Sequence, residues 1–206
     1  MHGGDHKPGD ISAELALQRL VKGNQRYLNG TTRLAELMRA DRTDLVLGQN
    51  PFATILGCSD SRVPPELIFD AGPGELFVVR VAGNILSADV AGSLQYAGSH
   101  LGTPLFVVLG HEGCGAVSAA LATRDQGAEQ RSRIQLLVNA ILPGLPPFDP
   151  DSLPEAQLSQ AVESNVRWTI QQIINTPEGR MRLAEGSMKI VGAIYDIASG
   201  RVRFLI

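Results

Sequence analysis

Apolar residues recur along this chain in two rhythms. Near the start, Leu17, Leu20, Val21, Asn24 and Leu28 fall on one face at helical spacing, which predicts an amphipathic helix. Asp10 or Ser12 can cap its start, and Asn29-Gly30 ends it. A second helical stretch is expected over residues 33–47, and residues 1–48 then form an N-terminal helical arm. Beyond the arm come short, continuous apolar runs at 52–57, 75–81, 104–110 and 189–197, which read as buried strands. Helices are expected between them at 87–100, 115–123, 131–142 and 155–175. Unbroken apolar strands alternating with helices predict an α/β fold with a central parallel sheet covered on both faces. Ser199-Gly200-Arg201 reads as a turn, so 202–206 is expected as an antiparallel edge strand beside the four parallel ones. Residues 143–154 hold five prolines and read as a surface loop.

Composition narrows the partners. A chain of 206 residues suits a single domain with an arm, so 49–206 is expected to fold as one α/β unit. A net charge of -3 and the lack of a basic run give no reason to expect nucleic acid or an anionic membrane as partner. The longest apolar runs are too short to span a bilayer. The polar N-terminus is not a secretory signal as written, so the expected compartment is the cytoplasm. A periplasmic chain whose signal had been removed would read the same way.

The chain has two cysteines, Cys58 and Cys114, which could form a disulfide or bind a metal. Their neighbours bear on the choice. The first strand runs out into Gly57-Cys58-Ser59-Asp60-Ser61-Arg62, and the third into Gly110-His111-Glu112-Gly113-Cys114-Gly115. Both clusters therefore follow the C-terminal end of a parallel strand, where open α/β sheets hold their ligands. Two thiolates and an imidazole form a zinc-like donor set, and three protein ligands leave a fourth position open for chemistry. Asp60 and Arg62 alternate along a tight loop, so the guanidinium can hold the carboxylate ionised beside the metal. Asp60 can also turn onto the metal and close the site. Taken singly, Cys58 is an ordinary buried thiol and Asp60-x-Arg62 an ordinary surface pair. Their joint occurrence points to zinc, and a disulfide would leave His111 and Asp60 without a role.

The motifs Cys58-Ser59-Asp60-Ser61-Arg62-Val63-Pro64 and Gly110-His111-Glu112-Gly113-Cys114-Gly115-Ala116 resemble those of the β-class carbonic anhydrases. Pro73-Gly74-Glu75-Leu76-Phe77-Val78-Val79-Arg80 and Ala82-Gly83-Asn84, lying between them, also match the family. The resemblance implies one Zn2+ per chain on Cys58, His111 and Cys114, with Asp60 and Arg62 as the catalytic dyad. The implied reaction is hydration of carbon dioxide to bicarbonate by a zinc-bound hydroxide. Two thiolates should leave the water's pKa higher than three histidines would. The resemblance also implies a homodimer or homotetramer whose N-terminal arms embrace the partner. Gln49, Phe77 and Tyr96 match the substrate pocket of the plant-like branch, and Gly115 lies beside a ligand. Ile55 stands where the bicarbonate-switched branch carries Trp, and the sole tryptophan is Trp168, so the open-site branch is expected. Hydrolysis of carbonyl sulfide or carbon disulfide on the same ligands, or a non-catalytic bicarbonate-binding module, are the alternatives. No histidine is clearly placed as a proton shuttle.

Overall fold

The computed structural model describes residues 11–37, 43–147, 151 and 153–205. Helix α1 spans Ala13–Leu28, and the Ser12 hydroxyl caps it by accepting from Leu15 N–H at 3.2 Å. Asp10, the other candidate cap, lies outside the described residues. The buried stripe of α1 is Ala16, Leu20, Gly23 and Asn24, whereas Val21 and Leu28 face outward. The stripe is rotated from the predicted one because Gly23 lies against the Phe69 backbone. A Cβ there would fall 1.8 Å from the Phe69 oxygen.

The expected stretch 33–47 forms two short helices, α2 (Leu34–Leu37) and α3 (Thr43–Leu47), and residues 38–42 between them are outside the described residues. The chain then runs β1 (Ala53–Gly57), α4 (Pro65–Ile68), β2 (Leu76–Arg80), α5 (Ala88–Ser99), β3 (Leu105–His111), α6 (Gly115–Gln126), α7 (Arg133–Ile141), α8 (Pro154–Asn175), α9 (Pro177–Ala184), β4 (Lys189–Tyr195) and β5 (Val202–Leu205). Single 3-10 turns occur at Ala82–Asn84 and Leu142–Gly144. The second of these opens the proline-rich loop, of which 148–150 and 152 are outside the described residues. Two helices, α4 and α9, were not expected. The first is four residues long and so has no period to read. The second begins at a Thr176 cap followed by Pro177 and carries little apolar patterning.

The sheet order is β2-β1-β3-β4-β5, parallel except for β5, which pairs antiparallel with β4. Ile206, expected at the end of the last strand, is outside the described residues. Alternate residues of the central strands feed two cores. Leu56, Phe106 and Val108 face Val162 and Val166 of α8 with Val117 and Ile141. Ile55, Val107 and Leu109 face Leu20 of α1 with Ile68 and Phe69. After β1 the chain steps to one side to make β2, and β3 then takes the other side. The C-terminal ends of β1 and β3 are therefore adjacent at a reversal of strand order, where an open sheet leaves a crevice. Among the described residues, no helix is long and apolar enough to cross a membrane.

Candidate metal centre

Cys58 follows the last residue of β1, His111 ends β3, and Cys114 is the cap residue of α6. Their ligand atoms all lie within 4.8 Å of one another. All three residues are buried, and both thiols are free. Each is aimed by a neighbour. His111 Nδ1 lies 2.9 Å from the Glu112 carbonyl oxygen, which makes Nδ1 the protonated nitrogen and leaves Nε2 as the free lone pair. Nε2 is buried with no hydrogen-bond partner and points into the cluster. The Cys58 sulfur accepts the Gly83 N–H at 3.4 Å, and the first-turn amides of Ala116 and Val117 favour a thiolate at Cys114.

The electrostatics of the cluster suit a cation. The Cys114 thiol, and after it His111 and the Gly83 and Asp60 amides, pull the Cys58 thiol well below its ordinary value against the effect of burial. Cys114 is pushed up, first because it donates to the Cys58 sulfur and then by burial. The two thiols oppose each other's ionisation, so holding both as thiolates calls for a positive charge between them. Burial lowers the pKa of His111, but the neighbouring Cys58 sulfur and its charge, with the Glu112 carbonyl, outweigh that and raise it. An orphaned imidazole nitrogen and two thiols short of a countercharge suit a divalent, thiophilic ion such as zinc.

Asp60 borders the cluster, its Oδ2 3.8 Å from His111 Nε2. Arg62 grips it with two side-chain bonds, Nε to Oδ1 at 2.9 Å and Nη2 to Oδ2 at 2.7 Å, and adds its backbone N–H to Oδ1 at 3.0 Å. These bonds, chiefly the side-chain pair, hold the Asp60 carboxyl well below the usual carboxylate range. Arg80, to which sequence reasoning gave no role, steadies the same loop. Its Nε donates to the Cys58 carbonyl at 3.0 Å and its Nη2 to the Asp60 carbonyl at 2.6 Å. The β1–β2 ladder ends where Val81 N–H meets the Gly57 oxygen, and the guanidinium takes up the carbonyls beyond it.

Gly115 opens α6 beside Cys114, and the space a Cβ would occupy there is empty within 4 Å. The other expected pocket residues lie elsewhere. Gln49 is exposed ahead of β1, whereas Cys58 follows its far end, roughly 17 Å along the strand at about 3.4 Å per residue. Phe77 pairs with Thr54 near the start of β2. Its ring lies 6.1 Å from that of Tyr96, which stacks on His100 at 4.8 Å. One chain therefore does not bring Gln49, Phe77 and Tyr96 to its own cluster. Ile55 is fully buried in β1, whereas the half-buried Trp168 donates from α8 to the Ala140 carbonyl at 3.1 Å and packs against Gly144.

A family profile described as carbonic anhydrase matches residues 53–202. Carbonic anhydrase 2 of Mycobacterium tuberculosis is 37% identical over 187 residues, covering 90% of this chain and 89% of its own length. Among solved structures, a Coccomyxa β-carbonic anhydrase in complex with acetazolamide superposes with a TM-score of 0.72 at 25% identity, over 92% of this chain and 86% of that one. One of two tetrameric β-carbonic anhydrases from Sordaria macrospora gives 0.70 at 25% identity, over 93% and 94%.

Proposed function

Because this chain belongs to the β class of the carbonic anhydrase family, we propose that Cys58, His111 and Cys114 hold one zinc ion at which carbon dioxide is reversibly hydrated to bicarbonate and a proton. The observation that carries this reading is the convergence of three buried ligand atoms, one an unpartnered imidazole nitrogen, beside an ionised carboxylate. Zinc in this site supplies a Lewis acid and a source of hydroxide near neutral pH. The chain's own groups do the rest. Asp60 Oδ2 accepts a hydrogen bond from the nucleophile and so turns a lone pair toward the carbon. Arg62 keeps that carboxylate ionised and prevents it from rotating. Arg80 fixes the backbone on which both Cys58 and Asp60 stand.

The substrate pocket on this reading is completed by a second copy. Gln49, Phe77 and Tyr96 lie toward the opposite end of the strands from their own cluster, and Tyr96 is 46% exposed. In the N-terminal arm, Val46 and Leu47 are each 85% exposed. Exposed apolar side chains such as these suit burial against a partner subunit. The arm, residues 1–48, is thus proposed as the dimerisation element and 49–206 as the catalytic unit. The resulting assembly is a homodimer or, as in the Sordaria protein, a tetramer.

Metal analysis with matched activity tests the reading. About one zinc per chain is expected in the purified protein, with zinc and hydration lost together in Cys58→Ala and His111→Ala. A His111→Ala protein that keeps full zinc and full activity would refute the ligand assignment. Stoichiometric zinc with turnover of carbonyl sulfide but not of carbon dioxide would refute the substrate assignment.

A further inference from the structure

Asn165 is a polar residue on an apolar face. It lies on α8 among Ala161, Val162, Val166 and Ile173, all buried, and is itself 1% exposed. Placing an amide there costs free energy unless it is hydrogen-bonded, so its partner bears on its role. That partner is the Gly83 carbonyl, which accepts from Asn165 Nδ2 at 2.8 Å. Gly83 is the middle of the Ala82–Asn84 turn, with φ 69°, and it is buried. Its own N–H donates to the Cys58 sulfur at 3.4 Å. The turn is packed from the other side as well, since a Cβ at Gly83 would fall 2.8 Å from Ile141 and 3.1 Å from Ala116. Asn165 thus grips one end of a residue whose other end faces the sulfur of a proposed metal ligand. The reach is long in sequence, 82 residues from α8 to the turn, and it crosses the core.

We infer that Asn165 is a positioning residue for the metal centre: it aims the Gly83 N–H at the Cys58 sulfur and thereby tempers how much charge that thiolate gives to the metal. The inference rests on the proposed metal site. A hydrogen bond to a thiolate withdraws electron density from sulfur, and groups one step removed from the ligands tune metal affinity in this way. An apolar residue of the same size at 165 would fill the same volume and still leave Gly83 unheld. Thr169, one turn further along the same buried face, has a hydroxyl with no hydrogen-bond partner and makes a matched control.

The experiment loads the full chain with NMR-active cadmium and with cobalt(II), and measures zinc affinity by competition with a chelator. Wild-type protein should show a through-hydrogen-bond coupling between the Gly83 amide and cadmium. Asn165→Leu should lose or reduce that coupling, shift the thiolate-to-cobalt charge-transfer bands to lower energy as the sulfur gives more charge, and, because the Cys58 sulfur is then no longer fixed for the metal, bind zinc about 10-fold more weakly. Thr169→Val should leave all three unchanged. Where circular dichroism shows that Asn165→Leu does not fold, Asn165→Asp is read instead, since it keeps the size but presents an acceptor to the Gly83 carbonyl. Absence of the coupling in metal-loaded wild-type protein would overturn the inference without recourse to any variant. So would a folded Asn165→Leu with unaltered coupling, bands and affinity. If wild-type protein takes up no cadmium, cobalt or zinc at Cys58, the metal reading itself fails and this inference falls with it.

Discussion

Asp60 is held by one neighbour and faces another, and this division gives two predictions. Asp60→Asn keeps the shape and the distance to the metal ligands but loses the ionised acceptor. Zinc content should be unchanged while hydration falls by about 100-fold or more, the scale of lost proton-acceptor assistance. Metal analysis and stopped-flow rates on the same sample check this. Arg62→Ala removes the grip that depresses the Asp60 pKa. The Asp60 titration, followed by carboxyl NMR, should then move up toward the ordinary value of about 3.9. The sign matters for stability. A depressed carboxyl stabilises the fold above its unfolded pKa, and that contribution fades only as pH falls through the folded value. The wild-type pair is therefore intact across the neutral range and fails only in acid. These residues could be read from the sequence because their chemistry is carried by contiguous motifs. Arg80 and Asn165 could not be assigned roles. Each acts by meeting a backbone carbonyl across the fold, and nothing in its own neighbourhood announces the partner.

At the level of elements, α1 shows where periodicity is a good guide and where it stops. The stripe correctly gave a helix from Ser12 to Asn29 but turned it by part of a revolution, because close approach at Gly23 decides which side faces the sheet. Leu20, fully buried at the centre of that contact, should cost about 2–5 kcal/mol when truncated to Ala. Val21→Ala, on the outward side, should be near neutral. Urea unfolding of both variants separates the observed face from the expected one. The parallel strands were legible as unbroken apolar runs, because burial on both faces removes any polar alternation. Helix α4 was not, because a helix of four residues leaves no repeat.

The whole molecule combines a sheet whose strand order reverses between β1 and β3 with a site built on that reversal. Sequence could place the two motifs at strand ends. It could not show that Gln49 and Phe77 sit near the other end of those strands, since register appears only once the sheet is assembled. A shared pocket between copies follows as a prediction. Leu47→Asp, in the exposed arm, should shift the protein toward monomer by sedimentation velocity and lower hydration in parallel. Mixing Asp60→Asn with Gln49→Ala chains should restore activity above either parent, because one site of each hybrid then has both an intact Asp60 and a partner's Gln49. No gain on mixing, with hybrids shown to form, would mean that Gln49 does not serve a neighbouring site.

Stopped-flow hydration of carbon dioxide on one sample, metal-stripped and then reloaded with zinc, decides whether an ion on Cys58, His111 and Cys114 carries the reaction. The stripped chain should not catalyse, and activity should return in proportion to zinc bound, saturating near one ion per chain. Full zinc occupancy with no hydration between pH 6.5 and 9, or equal activity in the stripped protein, would rule out zinc-dependent hydration at this site.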